Sequence, residues 1–200
     1  MYQIIIDWFT ENYLEVLGTI SGLLYLYFSV KQNIWLWPLG IISSILYIYV
    51  FFVSKFYADM SLQFYYVFIS IYGWIIWSGN KNDGSENELK VSKTKLKSAL
   101  ILTFVTLMIF LIYSIILNQT DSTIPYWDAF TTSASIVATW MLAHKKIEHW
   151  IIWIIVDLVS LGLYIYKGLY ATSFLFFIYS LIAVIGYFEW KKEYQKNLKL

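Results

Sequence analysis

Four stretches of this chain, 32–54, 60–80, 98–120 and 168–188, contain no lysine, aspartate or glutamate, and the chain has no arginine at all. They run 23, 21, 23 and 21 residues. Each is long enough to cross a hydrocarbon core of about 30 Å as one helix. Composition leaves little room for a soluble alternative. Of 200 residues, 60% are hydrophobic, 21% aromatic and only 14% charged, with a mean hydropathy of +0.62. A soluble domain carries roughly a quarter charged residues, so too little polar surface remains here to cover the apolar surface. The chain has no cysteine, which excludes a disulfide-built fold and a thiolate zinc site. A net charge of +1 without arginine offers no bidentate phosphate clamp, and no nucleic-acid partner is expected. The chain reads as an all-α integral membrane protein.

Three further apolar stretches are shorter or carry one acid: 13–30 with Glu15, 126–143 with Asp128, and 149–166 with Asp157. The expected helices are therefore 13–30, 33–54, 58–77, 98–117, 126–143, 149–166 and 169–188, in one membrane domain over 1–200. A polar linker, 78–97, precedes an unusually plain fourth helix that suits a lipid-facing spacer. Lysines test the count. The odd-numbered loops hold Lys55 and Lys167, and the even-numbered ones hold the other 12 of the 14. By the positive-inside rule the N-terminus is outside and the C-terminus cytoplasmic, which needs an odd number of spans. Residues 1–12 carry Asp7 and Glu11 and no lysine, so the first helix is not expected to be a cleavable signal peptide.

The chain also resembles itself. Leu46-Tyr47-Ile48-Tyr49 recurs as Leu163-Tyr164-Ile165-Tyr166. After a turn shortened by four residues, Tyr57-Ala58, Phe64, Tyr66, Gly73 and Trp77 align with Tyr170-Ala171, Phe177, Tyr179, Gly186 and Trp190. Helices 1 and 5 correspond weakly, through Thr19, Ser21 and Gly22 against Thr131, Ser133 and Ser135. Three helices, a linker helix and three helices make parallel repeats. This is an architecture of small transporters, with the substrate site at the repeat interface near the midplane.

Helix 6 carries a stripe. Trp150, Trp153, Asp157, Ser160 and Tyr164 follow at spacings of 3, 4, 3 and 4 and share one helical face. Asp157 lies near the middle of its span, where a carboxylate is costly and usually marks a substrate or ion route. Indoles beside a carboxylate suit a cationic ring. The blander alternative is that Trp150 is an interfacial belt residue and Asp157 an interhelical hydrogen-bond acceptor. On helix 3, Asp59, Gln63, Tyr66, Ser70, Gly73 and Trp77 form a second stripe. Gln63 can donate and accept, as an amide or pyrimidine edge requires, or can tie two helices together. Asp59 and Asp128 lie near helix starts and suit the dipole. Asn33 reads as a cap, Trp35 and Trp37 as belt residues, and His144 and His149 as interfacial polar residues. No nucleotide-binding loop, metal-ligand spacing or nucleophile–base pair appears. No catalytic residue, metal, cofactor or ATP-driven step is expected.

These residues resemble the PnuC-type vitamin transporters. Trp150-x-x-Trp153-x-x-x-Asp157 is similar to their WxxWxxxN/D signature. The blocks from Asn33 to Trp77 and from Pro125 to Lys192 are similar to the family over nearly the whole chain. His149 stands where many members have Asn, and Asp157 where the signature allows Asn. The resemblance implies a SWEET-like fold in the inner membrane and facilitated diffusion without a coupling ion. It further implies trapping of the vitamin by a cytoplasmic kinase, and a homotrimer. It places a small cationic vitamin at Trp150, Trp153 and Asp157, and less directly at Gln63. Tyr66, Ser160 and Tyr164 join the candidate site from the two stripes. Nicotinamide riboside is the first candidate substrate. Thiamine, also a cation, is the alternative, and a non-transporting membrane scaffold or receptor is the third reading.

Overall fold

A computed structural model describes residues 13–53, 57–79, 89–120 and 122–199, without the side chains of 13–16, 57–59 and 171. Glu15, Lys55 and Asp59 thus lie outside the described side chains. Seven helices occupy the described residues: α1 (Tyr13–Val30), α2 (Leu36–Val53), α3 (Tyr57–Gly79), α4 (Leu96–Leu117), α5 (Pro125–Ala143), α6 (His149–Tyr166) and α7 (Tyr170–Asn197). Charge-free apolar runs become helices because backbone polar groups in a lipid core must be bonded within their own segment. α2, α4, α6 and most of α3 and α7 are long and apolar enough to cross a membrane, and the apolar part of α1, Leu17–Val30, is shorter.

Two helices stand at opposite extremes for a physical reason. α4 has a mean hydropathy of 2.8 and buries only Ser114 and Leu117, so nearly all of its surface is apolar and uncovered by its own unit. α5 is rich in small and hydroxyl residues and buries ten residues, seven of them alanine, serine or threonine, among them Ala129, Ser133, Ala134, Ser135, Ala138 and Thr139. Its surface meets protein, so it does not need lipid-matching side chains. Ser133 and Thr139 satisfy their own hydroxyls by donating to the carbonyls of Phe130 and Ser135 at 3.0 and 2.8 Å. Pro125 opens the helix where a missing N–H is harmless. Asp128 sits in its first turn and accepts a 2.8 Å bond from Ser122 Oγ.

α7 runs to Asn197, beyond the charge-free stretch that ends at 188. Its last turns carry Glu189, Lys191, Lys192 and Glu193, good helix formers that continue the helix after apolarity stops.

The chain divides into two compact units, Met1–Asn82 and Asp83–Leu200. In the first, α2 packs against both α1 and α3; in the second, α6 packs against both α5 and α7, and α4 packs on α5. Helix bounds recur between them. Val30 and Ala143, Leu36 and His149, Val53 and Tyr166, and Tyr57 and Tyr170 are each 113 positions apart. The offset therefore holds through α2 and α6 as well as through α3 and α7, and no residues drop out of the turn. Leu163–Tyr166 correspond to Val50–Val53, one helical turn beyond the Leu46–Tyr49 that resemble them, because Tyr-rich helices look alike at a shift of four.

The turn after α1 recurs in detail after α5. Gln32 and Lys145, also 113 apart, both take left-handed φ, 52° and 48°. Asn33 N–H donates to Phe28 C=O at 2.9 Å and Gln32 N–H to Ser29 C=O at 3.1 Å. Lys146 N–H to Met141 C=O and Lys145 N–H to Leu142 C=O, both 2.9 Å, repeat the pattern. This double closure satisfies terminal helix carbonyls. The α6–α7 turn uses it too, with Gly168 at φ 73°. Asn33 also accepts a 3.0 Å bond from Trp35 N–H, so it does cap the entry to α2.

Candidate functional site

The helix 6 stripe lies on α6, which packs between α5 and α7 within its unit. Its members do not share one environment. Trp150 is 1% exposed, and its ring lies on the backbone of Gly186 in α7. Trp190 meets it edge-on at 5.9 Å and 84°, and His149 at 4.5 Å. Tyr164, nearly four turns along, stacks on Phe176 of α7 at 5.1 Å and 22°. The two ends of the stripe are therefore pinned to α7 by aromatic packing.

The middle of the stripe differs. Trp153 is half-buried and has no ring partner among the described residues. Asp157 is only 5% exposed and Ser160 only 7%, yet neither side chain has a hydrogen-bond partner among the described residues. Buried polar groups are nearly always bonded, and an unpaired buried carboxylate is the costliest kind to leave so. An indole face, a carboxylate and a hydroxyl thus stand on one face of one helix, unspent on the protein's own structure. They can stack a flat ring, oppose a positive charge and accept from hydroxyls.

The recurrence at 113 separates these roles further. Trp150 corresponds to Trp37, Gly186 to Gly73 and Trp190 to Trp77. Trp37 is fully buried on the backbone of Gly73, with Trp77 edge-on at 5.3 Å and 87°. The same tryptophan-on-glycine joint thus fastens α2 to α3 and α6 to α7. Trp37 is accordingly a core residue where a belt residue was expected, while Trp35 is 62% exposed. Trp153 and Asp157, by contrast, correspond to Gly40 and Ser44. Gly40 packs closely on Ser70 and Tyr25. What the units share is joinery, and what only the second carries is the unpartnered indole and acid.

His149 is fully buried, not interfacial. Its Nδ1–H donates to the Lys146 carbonyl at 2.6 Å and its ring packs against Trp150 and, at 4.7 Å, Trp190. His144 matches its interfacial expectation better, donating to the Trp140 carbonyl at 2.9 Å beside the Trp140 ring. Gln63 and Tyr66 lie on α3 in the first unit, both half-buried, and Tyr66 neighbours Tyr65 at 5.7 Å. A groove of about 570 Å³ borders α6 on another face, between Ile152, Ile155 and Val156 and residues of α4 and α5. Its walls are almost wholly apolar, and the stripe residues are not among them. It suits hydrocarbon, not a polar ligand.

Residues 12–192 match the family model described as nicotinamide mononucleotide transporter. The chain belongs to this family. Among curated relatives, the nicotinamide riboside transporter PnuC of Escherichia coli (strain K12) is 28% identical over 90% of this chain and 85% of its own length. The riboflavin/roseoflavin transporter RibM of Streptomyces davaonensis is 23% identical over 88% of this chain and 83% of its own. The crystal structure of the vitamin B3 transporter PnuC superposes with a TM-score of 0.76 at 24% identity, covering 97% of this chain and 87% of that one. The likeness extends the fold over essentially the whole chain. This family member is a multi-pass transporter of the inner membrane.

Sequence reasoning found the stripe but not the joint. Trp37 at 113 from Trp150 was the signal, hidden by the one-turn shift in the Tyr-rich match. It also missed Ser92, Thr94 and Glu148, which tie the linker to the α5–α6 turn.

Proposed function

We propose that this chain is a facilitator of nicotinamide riboside, letting the riboside equilibrate across the inner membrane without a coupling ion. Trp153 stacks the nicotinamide ring, and Asp157 faces the pyridinium charge or accepts from ribose hydroxyls. Ser160 and Tyr164 contribute a polar and an aromatic contact from the same face of α6. Trp150 supports the stripe from behind, held on Gly186. One observation carries this reading: Asp157 is buried on the polar face of α6 with no partner among the described residues. A cationic, hydroxyl-bearing ring supplies the missing partner. The names of the curated relatives favour a riboside over other cations.

In this reading the seven helices are seven spans with the N-terminus outside and the C-terminus cytoplasmic, as the 2-to-12 division of lysines requires. The helix triplets α1–α3 and α5–α7 are parallel repeats with α4 as the linker, and the recurrence of turns and joints at 113 supports that. A facilitator alone cannot concentrate its substrate, so cytoplasmic phosphorylation traps what enters. A homotrimer is the proposed assembly. Uptake of labelled nicotinamide riboside into proteoliposomes, with no ion gradient, tests the reading. Saturable uptake that stops at equal concentrations on both sides is expected, and Asp157→Ala abolishes it. Uptake that needs an imposed sodium or proton gradient would overturn the facilitator mechanism.

A further inference from the structure

The α5–α6 turn carries a device that transport itself does not explain. Lys145 is held at left-handed φ, which turns its carbonyl out of the helix end. Ser92 N–H donates to that carbonyl at 3.0 Å, and Ile147 N–H donates to the Ser92 carbonyl at 3.1 Å, forming an isolated parallel bridge. Side chains reinforce it. Lys146 Nζ donates to Ser92 Oγ at 2.9 Å. Thr94 donates twice to one Glu148 carboxylate oxygen, from its N–H at 3.0 Å and its hydroxyl at 2.7 Å. Val91 and Ile147, beside the bridge, are both buried, at 3% exposed each. Lys93 lies over the Tyr194 ring at 5.6 Å, reaching α7.

Glu148 stands at the N-cap of α6 yet makes no capping bond to its own helix. An acid there would ordinarily serve the exposed N–H groups and the dipole. Its carboxylate is spent on Thr94 instead. In the first unit the matching turn has the same backbone, but Asn33 and Trp35 stand where Lys146 and Glu148 do. Among the described residues no segment pairs with the Gln32 carbonyl or the Ile34 N–H. Among the described residues, the added strand occurs in the half of the chain that carries Trp153 and Asp157.

We propose that residues 91–95 form a strap that fixes the start of α6, with Thr94 and Glu148 as positioning residues for the Trp153–Asp157 face. The inference rests on the transport reading above. A helix propagates a change at its first residue along its length, so loosening Glu148 moves the stripe that begins two residues later. Among the described residues, the first unit shows the same backbone conformation with no such pairing.

The test compares Thr94→Val, which keeps the shape and removes the hydroxyl, with Thr94→Ser, which restores it. In proteoliposomes Thr94→Val raises KM for nicotinamide riboside about two- to tenfold, the ratio expected for one lost hydrogen bond. Thr94→Ser returns it to the wild-type value. Amide hydrogen exchange on the full-length protein is the second measurement. Thr94→Val speeds exchange over 145–152 and leaves α7 at wild-type rates. An unchanged KM with unchanged exchange overturns the strap. Faster exchange with an unchanged KM shows the strap but overturns the positioning role. Wild-type protein that takes up no riboside sinks the transport reading instead, and the exchange result still decides the strap.

Discussion

Replacing Gly186 by alanine tests the tryptophan-on-glycine joint with a single methyl group. A Cβ there would lie 2.6, 2.6 and 2.7 Å from Cε2, Cζ2 and Cη2 of Trp150. Those atoms belong to a rigid, fully buried indole, not to the tip of a flexible chain. The ring cannot retreat easily, because Trp190 and His149 close around it. Inserting one methyl into such a contact costs about 1–3 kcal/mol. Removing a mid-helix glycine recovers about 1 kcal/mol of helix propensity. Gly162→Ala isolates that second effect, since a Cβ at Gly162 meets nothing within 4 Å. The two variants should therefore differ by about 1–3 kcal/mol, several degrees of Tm for a chain of this length. Thermal unfolding in detergent, followed by intrinsic tryptophan fluorescence, reads the difference. Gly162→Ala should match or exceed wild type, and Gly186→Ala should fall below it. Equal Tm values for both would refute the joint as a rigid contact. Gly73→Ala, aimed at Trp37, should behave like Gly186→Ala.

The remaining expectations concern the stripe and the topology. Trp153→Ala should weaken riboside binding by about 1–3 kcal/mol, the usual worth of a stacked aromatic, while Trp153→Phe keeps most of it; a titration of each purified variant measures this. Asp157→Asn removes a buried, unpartnered carboxyl group, so it should stabilise the ligand-free protein by about 1 kcal/mol or more, read as a higher Tm, while weakening binding. A lower Tm would show that the carboxylate serves the fold. The chain has no cysteine, so single-cysteine variants report orientation cleanly. An impermeant maleimide should label Gln119→Cys in intact cells, and Lys196→Cys only after permeabilisation; the reverse pattern would invert the topology.

The spans were legible because lipid imposes one simple rule on sequence. Where side chains must match hydrocarbon, charge vanishes for twenty residues, and α2, α4 and α6 begin and end within a few residues of where charge and turn signals put them. The tail of α7 was not legible this way, because hydropathy reports the membrane's edge and not the helix's end. The polar stripe was legible for a similar reason, since spacing fixes which residues share a face of α6. Spacing says nothing about what the neighbouring helix does. Trp150 and Trp153 differ by one turn, but Gly186 admits the first ring into the α6–α7 contact and leaves the second without a ring partner. The strap was least legible of all. Ser92, Thr94 and Glu148 are ordinary polar residues, and only the 54-residue closure of the chain brings them together.

The claim that Asp157 waits, unpartnered, for a cationic vitamin is tested most directly by calorimetric titration of the purified protein with nicotinamide riboside, in parallel with Asp157→Ala. The account predicts saturable binding by the wild type and a loss of tenfold or more in the variant, the scale of one charge-assisted hydrogen bond at about 1.5–3 kcal/mol. Equal affinities in the two proteins, or no binding by the wild type even at millimolar riboside, would contradict it.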